Sequence, residues 1–175
     1  MTIREATPED VDGIRDVAKA SWDTDYPDIL SRESIEDGFD DWYSPEQVRH
    51  SLTWADTLLL VAEEDDDIVG FSHAIWGKDE TQGSDSETTH GDILRLYVHP
   101  DHRQDGLGRR LFEATRDELA EMNVTTLRAM VLENNDLGNA FYKGFGFDLS
   151  DTEQIAIGEE TYRENTYTLD IDSTE

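Results

Sequence analysis

The chain of 175 residues contains no cysteine and only three lysines, Lys19, Lys78 and Lys143. The lack of cysteine excludes disulfides, cysteine–zinc sites and thiol nucleophiles. The longest uninterrupted apolar run covers residues 58–62, far short of the about 20 residues that a transmembrane helix needs. The polar N-terminal stretch does not resemble a signal peptide. We therefore expect a soluble, cytoplasmic protein without a bound metal.

Positive charge is also scarce. The sequence has 42 aspartates and glutamates against 14 lysines and arginines, so the formal net charge is −28. Such a surface repels phosphate, which argues against nucleic acid or an anionic membrane as a partner. Molar salt shortens the Debye length to about 3 Å and would make this self-repulsion tolerable, so the composition suggests a halophilic protein.

Hydrophobic periodicity and helix caps predict a folded chain of alternating elements. Thr7-Pro8 and Ser44-Pro45 each place a hydroxyl before a proline, the pattern that begins a helix. Runs rich in β-branched residues predict strands. The expected strands cover residues 2–6, 57–63, 68–76, 92–98, 125–132 and two segments around Gly158-Glu159. The expected helices follow Thr7, occupy parts of 23–43, run from Ser44 to about 55, and cover 107–122 and 136–143, while 78–90 is expected as an exposed loop.

This order predicts the fold class. It favours a mixed α/β (α+β) protein with a central mixed sheet and helices on both faces. No linker or repeat divides the sequence, so residues 1–171 are expected to form one domain and 172–175 a frayed acidic tail.

The segment 94–111 carries the clearest chemical signal. It reads as a strand, a tight turn and a helix start that contains Gly106 and Gly108. Glycines at a helix N-terminus allow backbone N–H groups to approach an anion closely. The same glycines also suit close packing of the helix against the strand, so both interpretations stay open.

Charge is distributed unevenly around this segment. Residues 95–143 contain seven basic and eight acidic residues, a net charge of −1, and the other 126 residues therefore carry −27. A nearly neutral segment in so acidic a chain favours a binding site for a polyanionic ligand. The alternative is that arginines simply cluster around the core in this segment.

Two motifs resemble those of the GNAT superfamily of N-acetyltransferases. The RxxGxG pattern from Arg103 to Gly108, preceded by LYVHP, resembles the superfamily's motif A, which binds the pyrophosphate of acetyl-CoA. Asn135-x-x-Gly138-x-x-Phe141-Tyr142, followed by a GF pair, resembles motif B. Two motifs in this order, about 30 residues apart, are much more specific than a lone GxG. The resemblance implies a GNAT-like fold over nearly the whole chain and acetyl transfer from acetyl-CoA to a primary amine.

The resemblance also implies the roles of individual residues toward acetyl-CoA. The strand would pair with the pantetheine arm, which requires the strands containing Val98 and Val131 to separate. The backbone amides after this strand would bind the pyrophosphate, with the Arg103 and Arg109 guanidinium groups as additional partners. The implied cofactor-binding residues are Leu96, Tyr97, Val98, Arg103, Gln104, Asp105, Gly106, Leu107, Gly108, Arg109, Asn135 and Tyr142.

Three residues are the implied catalytic groups. Tyr142 would donate a proton to the departing thiolate, because phenols and thiols have pKa values within about two units of each other. Attack by an amine also requires loss of the ammonium proton, in which a carboxylate usually helps. Asp92, at the start of the motif A strand, and Glu133, at the end of the next strand, are the candidates.

The sequence departs from the superfamily pattern at two positions. Gly138 replaces the more common alanine and permits a closer approach of the chain. Asp105 places an acid in the pyrophosphate loop, where it would weaken phosphate binding, so we expect its side chain to point to solvent.

Two other functions compete with acetyl transfer. A non-catalytic acyl-CoA-binding or sensing module would keep the same fold, and Tyr142 argues against it. A P-loop enzyme is excluded because no GK[ST] follows the glycines. The amine acceptor is open between a small amine, a polyamine and a protein amino group, and a homodimer is possible because many superfamily members dimerise.

Overall fold

The computed structural model describes residues 2–26, 30–53, 56–78, 89–102, 106–157 and 160–171. Seven strands and five α-helices lie in this part of the chain. The strands are β1 (Thr2–Glu5), β2 (Thr57–Glu64), β3 (Asp67–Lys78), β4 (Thr89–Val98), β5 (Val124–Leu132), β6 (Asp148–Ile157) and β7 (Glu160–Asp170). The helices are α1 (Val11–Asp25), α2 (Arg32–Tyr43), α3 (Pro45–Ser51), α4 (Leu107–Glu121) and α5 (Asp136–Gly144).

Helix starts follow the local sequence. The hydroxyl oxygens of Ser31 and Ser44 accept hydrogen bonds from the backbone N–H groups of Ser34 and Gln47, which caps α2 and α3. Thr7 precedes a short 3₁₀ turn, Pro8–Asp10, that leads into α1. The Ser44-Pro45 signature therefore predicted the start of α3 correctly, whereas α1 begins at Val11, one 3₁₀ turn after Thr7-Pro8, and the cap at Ser31 was not predicted.

Two sequence expectations need correction. The helix that begins after Ser44 ends at Ser51 instead of near residue 55, because the N–H of Thr53 turns back to the His50 carbonyl and Asp56 adopts a left-handed conformation with φ of 53°. The other concerns the expected loop 78–90, because Lys78 belongs to β3 and residues 89 and 90 belong to β4. Residues 79–88 lie outside the described part of the chain, as does the expected tail 172–175.

The strands form one mixed sheet in the order β1-β2-β3-β4-β5-β7-β6. Every neighbouring pair is antiparallel except β4 and β5, which are parallel. Parallel neighbours need a crossover connection, and α4 supplies it between them. This single parallel pair is where the site forms.

Apolar side chains cover both faces of the sheet. One cluster packs beneath α4 and includes Leu111, Phe112 and Leu119, all fully buried. The other packs beneath α1 and α2 and includes Ile14, Val17 and Trp22. The predicted fold class, a mixed sheet with helices on both faces, is confirmed. None of the described helices is long and apolar enough to cross a membrane.

Candidate active site

A cleft opens where β4 and β5 stop pairing. Their parallel register ends at Ile93 opposite Ala129, although β4 continues to Val98 and β5 to Leu132. The register between β3 and β4 shifts at the same level, between His73 and Ala74, so that β4 carries an extra residue, Leu94. Such a bulge bends a strand and increases its twist. The separation that the motif A resemblance required is therefore present.

The cleft has a volume of about 600 Å³ and passes between the two sheet faces. Leu96, Val98 and Tyr142 line it from the cluster beneath α4, whereas Trp22 and Tyr97 line it from the cluster beneath α1 and α2. A ligand can therefore reach the gap from either face. Because β4 no longer pairs with β5 beyond Ile93, the strand edge on the β5 side is available for hydrogen bonds to an extended ligand.

The start of α4 forms one end of the cleft. Gly106 occupies the cap position with φ of 77°, a conformation that side chains rarely tolerate, and a Cβ there would meet no atom within 4 Å. At Gly108 a Cβ would lie 3.2 Å from the Phe141 ring, so this glycine permits close helix packing. Gly106 therefore fits the anion-binding interpretation of the GxG, whereas Gly108 fits the close-packing interpretation. The first turn of α4 contains no acid, which leaves the positive end of the helix dipole uncompensated.

Arg109 is exposed beside this helix start. Its Nε lies 3.6 Å from a Glu113 carboxylate oxygen, and its guanidinium group lies 5.9 Å from the centroid of the Phe145 ring. Gly106, Leu107, Gly108 and Arg109 all line the cleft. Arg103, Gln104 and Asp105, the other residues predicted for pyrophosphate binding, lie outside the described part of the chain.

Helix α5 forms the opposite wall. The side-chain oxygen of Asn135 accepts a hydrogen bond from the Gly138 N–H at 3.1 Å and caps the helix. A Cβ at Gly138 would lie 2.8 Å from both Asn135 Nδ2 and Val131 Cγ1, so the expected close approach of the chain is present. Asn135 and Gly138 both line the cleft. Asn135 thus caps α5, and its contact with the cofactor stays a prediction.

Tyr142 lies on the buried side of α5 and lines the cleft. Its ring packs against Phe141, Phe147 and Tyr167. Burial raises the pKa of the Tyr142 phenol well above its ordinary value, and the nearby Tyr97 phenol adds to the effect. Tyr142 therefore keeps its proton at every physiological pH, as a proton donor must.

Neither carboxylate predicted as a base lines the cleft. Both Asp92 oxygens accept hydrogen bonds from Arg128, at 2.7 and 3.1 Å, on the stretch where β4 and β5 are still paired. Glu133 binds the Arg163 Nε at 3.1 Å and is exposed. The structure thus places both residues in ion pairs away from the cleft lining.

A carboxylate that the sequence analysis did not single out does line the cleft: Glu164 of β7. It lies directly opposite Leu132 of β5 and Glu153 of β6. Burial raises the pKa of the Glu164 carboxyl above its ordinary value, and the facing Glu153 adds to the effect. In the sequence, Glu164 is indicated only by the alternation of side chains along β7, which places Glu164 and Tyr162 on the same face of the sheet.

Aromatic side chains form the wall on the α1 side. The Trp22 Nε1–H donates to the Tyr97 hydroxyl at 3.1 Å, and the Tyr26 and Tyr97 hydroxyls lie 3.2 Å apart. The Arg95 guanidinium lies 4.7 Å from the centroid of the Tyr43 ring. Such electron-rich faces suit the methylene chain and the charge of an organic cation.

Among the described residues, no group of three or more histidine, aspartate or glutamate side chains is arranged to hold a metal ion. In the described part of the chain, the charged groups that line the cleft are Arg95, Arg109 and Glu164.

Comparison with known proteins agrees with this geometry. Residues 15–147 match the model of the acetyltransferase (GNAT) family. The chain is 28% identical over 159 residues to the spermidine N(1)-acetyltransferase of Thermoplasma acidophilum, which covers 87% of this chain and 91% of the relative.

Solved structures also match. The PaiA N-acetyltransferase of T. acidophilum, in complex with coenzyme A, superposes with a TM-score of 0.77 at 26% identity, covering 95% of this chain and 98% of the other. The ribosomal-protein-S18-alanine N-acetyltransferase of Escherichia coli shares the fold, with a TM-score of 0.70 at 17% identity, covering 99% and 96% of the two chains.

Proposed function

Because this chain belongs to the acetyltransferase (GNAT) family and uses acetyl-CoA, we propose that it transfers the acetyl group to a primary amine of a small polyamine by direct attack. Acetyl-CoA supplies the activated acetyl thioester. The observation that carries the proposal is the through-sheet cleft, which has a phosphate-compatible helix start on one face and an aromatic wall with a carboxylate on the other.

The residues of the cleft fit acetyl-CoA. The unpaired edge of β4 beyond Ile93 offers backbone groups to the pantetheine amides, through Leu96, Tyr97 and Val98. The N-terminus of α4, from Gly106 to Arg109, offers N–H groups and positive charge to the pyrophosphate. Arg103, Gln104 and Asp105 complete this loop in the proposal, and Asn135 contributes from the α5 wall.

The acceptor enters from the α1 side in this proposal. A polyamine is a flexible chain of methylenes between ammonium groups, and Trp22, Tyr26 and Tyr97 offer aromatic surface for the methylenes. Glu164 offers the opposite charge to one ammonium. The net charge of −28 raises the local concentration of cations around the protein. The similarity to a spermidine acetyltransferase over most of both chains supports the same acceptor class.

Tyr142 donates the proton that the departing sulfur receives. Burial keeps the Tyr142 phenol protonated, and because the same apolar surroundings disfavour a charged thiolate, the departing sulfur needs a proton donor close by. Its packing between Phe141 and Phe147 fixes the orientation of the ring.

The test is acetyl transfer to a panel of acceptors, measured as thiol release: spermidine, a monoamine of similar length and a basic peptide with a free N-terminus. We expect spermidine to have the highest kcat/KM. Equal or better turnover of the peptide would contradict the polyamine proposal, and binding of acetyl-CoA without turnover of any amine would favour the sensing module.

A second measurement tests the role of Tyr142. We expect Tyr142→Phe to lower kcat by about 10²-fold, the lower range for general acid catalysis, with little change in the KM for acetyl-CoA. Tyr162→Phe is the matched control, because its hydroxyl binds Ser34 and Glu160 outside the cleft lining. Similar kcat values for the two variants would remove Tyr142 from the mechanism.

A further inference from the structure

Glu164 is the one acidic residue among the described residues that line the cleft. Its carboxylate makes no hydrogen bond or ion pair with the described residues, unlike Asp92 and Glu133, which are held by arginines. A carboxylate that is partly desolvated and not neutralised by a neighbouring cation attracts a cationic ligand strongly.

The register of β7 shows which face Glu164 occupies. Side chains alternate along a strand, so Tyr162 and Glu164 share one face, while Asn165 and Tyr167 share the other. The Tyr162 hydroxyl donates to Ser34 of α2, whereas Asn165 and Tyr167 both donate to Asn139 of α5. Glu164 therefore lies on the α1 and α2 side of the sheet, opposite the helix start that suits the pyrophosphate.

The neighbours of Glu164 on this face come from several elements. Leu132 of β5 and Glu153 of β6 lie directly across from it. Arg95 and Tyr97 of β4 and Tyr26 of α1 are the other titratable groups among the described residues that line this side of the cleft. Burial raises the pKa of the Glu164 carboxyl above its ordinary value, and the charge of Glu153 acts in the same direction.

We propose that Glu164 binds the ammonium group of the acceptor and removes the proton that must leave before the nitrogen attacks. This inference rests on the proposed amine acetyltransferase function and identifies the base of that reaction. It replaces Asp92 and Glu133 in this role, because both are held in ion pairs with arginines and neither lines the cleft.

The protons balance as follows. The carbon–nitrogen bond forms while the carbon–sulfur bond breaks, and the ammonium nitrogen loses two protons in becoming an amide. Glu164 takes the first proton and releases it to solvent. The second proton restores the Tyr142 hydroxyl, which has given its own proton to the sulfur. The products are the N-acetylated amine, free coenzyme A and one proton.

The experiment is a pH profile of kcat/KM for spermidine with wild type and Glu164→Gln. In wild type we expect kcat/KM to fall toward low pH as Glu164 becomes protonated, and to form a plateau above that range, because the bound ammonium is deprotonated by the enzyme. In Glu164→Gln only the neutral amine from solution can react, so kcat/KM should rise about tenfold per pH unit toward the amine pKa near 10. At pH 7 we expect a loss of about 10²-fold.

Two controls separate a base from a structural residue. Asp148→Asn removes an exposed carboxylate from the same hairpin and should keep the wild-type profile. The dissociation constant for acetyl-CoA should stay within about twofold in Glu164→Gln, because the pyrophosphate site lies on the other face. Glu164→Asp should recover part of the rate and restore the plateau.

The outcomes are distinguishable. If wild type acetylates spermidine and Glu164→Gln keeps the plateau, or if Glu133→Gln or Asp92→Asn removes it instead, the assignment of Glu164 is wrong and the proposed function stands. If wild type acetylates no amine at all, the proposed function fails, and the role of Glu164 fails with it.

Discussion

Gly138 shows how a single missing methyl group shapes the cleft. Alanine is the more common residue at this position of the motif, yet here a Cβ would lie 2.8 Å from the Val131 side chain and from the Asn135 amide nitrogen. Val131 is branched and stiff, and the Asn135 side chain is fixed by its cap hydrogen bond. Both residues line the cleft, so relief of the contact must move its wall.

We expect Gly138→Ala to raise the KM for acetyl-CoA by about tenfold with a small change in stability. Alanine favours a helix over glycine by about 1 kcal/mol, which offsets part of the steric cost. Gly144→Ala is the matched control in the same helix, because a Cβ there would meet nothing within 4 Å. Steady-state kinetics and melting temperatures measure both effects, and an equal KM in the two variants would contradict the expected wall movement.

Single residues also show what the sequence can and cannot predict. Gly106, Asn135 and Tyr142 were expected at the site because they belong to short motifs that resemble those of the family, and all three line the cleft. Glu164 was not predicted, because it enters the cleft only through the pairing of β7 with β5 and β6. Because the chain has 42 acidic residues, residue type alone could not distinguish Glu164 from the others.

At the scale of elements, α5 is joined to the sheet by one buried side chain. The Asn139 amide nitrogen lies within 3.2 Å of the carbonyls of Leu132, Glu133 and Asn135. Its oxygen accepts from the Asn165 amide and the Tyr167 hydroxyl of β7. Asn139 thus connects the end of β5, the start of α5 and β7 at the edge of the cleft.

Asn139→Ala should lower the free energy of unfolding by about 2–4 kcal/mol, because it leaves several buried polar groups without partners. Urea denaturation measures the change. Asn134→Ala, in the exposed turn just before α5, is the control and should cost less than about 1 kcal/mol. A comparable small loss for Asn139→Ala would show that water replaces the lost hydrogen bonds.

An ion pair between Arg4 of β1 and Asp10, just before α1, makes the stability of the protein depend on pH. Asp10 accepts hydrogen bonds from Arg4 at 2.8 and 3.0 Å and from the Thr7 N–H at 2.8 Å. The Arg4 hydrogen bonds are the main cause of a lowered Asp10 pKa, and burial opposes them. Since the folded pKa is below the unfolded value of about 3.9, this stabilisation is complete above pH 4 and is lost as the pH falls through the folded pKa.

Asp10→Asn should therefore destabilise the protein at pH 7 by about 1 kcal/mol, a value reduced by the partial exposure of Arg4. The difference from wild type should shrink as the pH falls below about 4, because the unfolded chain then binds a proton at Asp10. Asp12→Asn, an exposed acid in the first turn of α1, should show no such convergence. Thermal unfolding at pH 7 and pH 3 distinguishes the two.

Element boundaries and the site were predictable to different degrees. The cap at Ser44 is local, and α3 begins where the Ser44-Pro45 signature indicates. The pairing between β4 and β5 ends at the level of a bulge at Leu94. No pattern of residues in the sequence predicted this bulge. The separation of these strands was expected only through the family resemblance.

At the scale of the molecule, the net charge of −28 opposes compaction. Asp65 and Asp66 illustrate the problem, because they lie side by side in the turn between β2 and β3 and are followed by Asp67. Both have positive φ, at 53° and 70°, a conformation that asparagine also tolerates. Their charge can be removed without changing the turn.

We expect the melting temperature to rise by about 5–10 °C between 0.1 and 2 M KCl, because screening weakens the repulsion by a few kcal/mol. The double variant Asp65→Asn/Asp66→Asn should melt higher than wild type at low salt and gain less from KCl. A melting temperature that is independent of salt would contradict the idea that the acidic surface suits a halophilic protein.

The unpaired stretch of β4 and β5 also bears on aggregation. An exposed strand edge pairs readily with strands of other chains, and proteins usually shorten, charge or cover such edges. Here two edges lie inside the sheet, with α4 and α5 over one face and α1 and α2 over the other. A narrow ligand can reach them, whereas a strand from another molecule meets the helices first. The same geometry that offers backbone groups to a cofactor therefore keeps those groups from joining chains together.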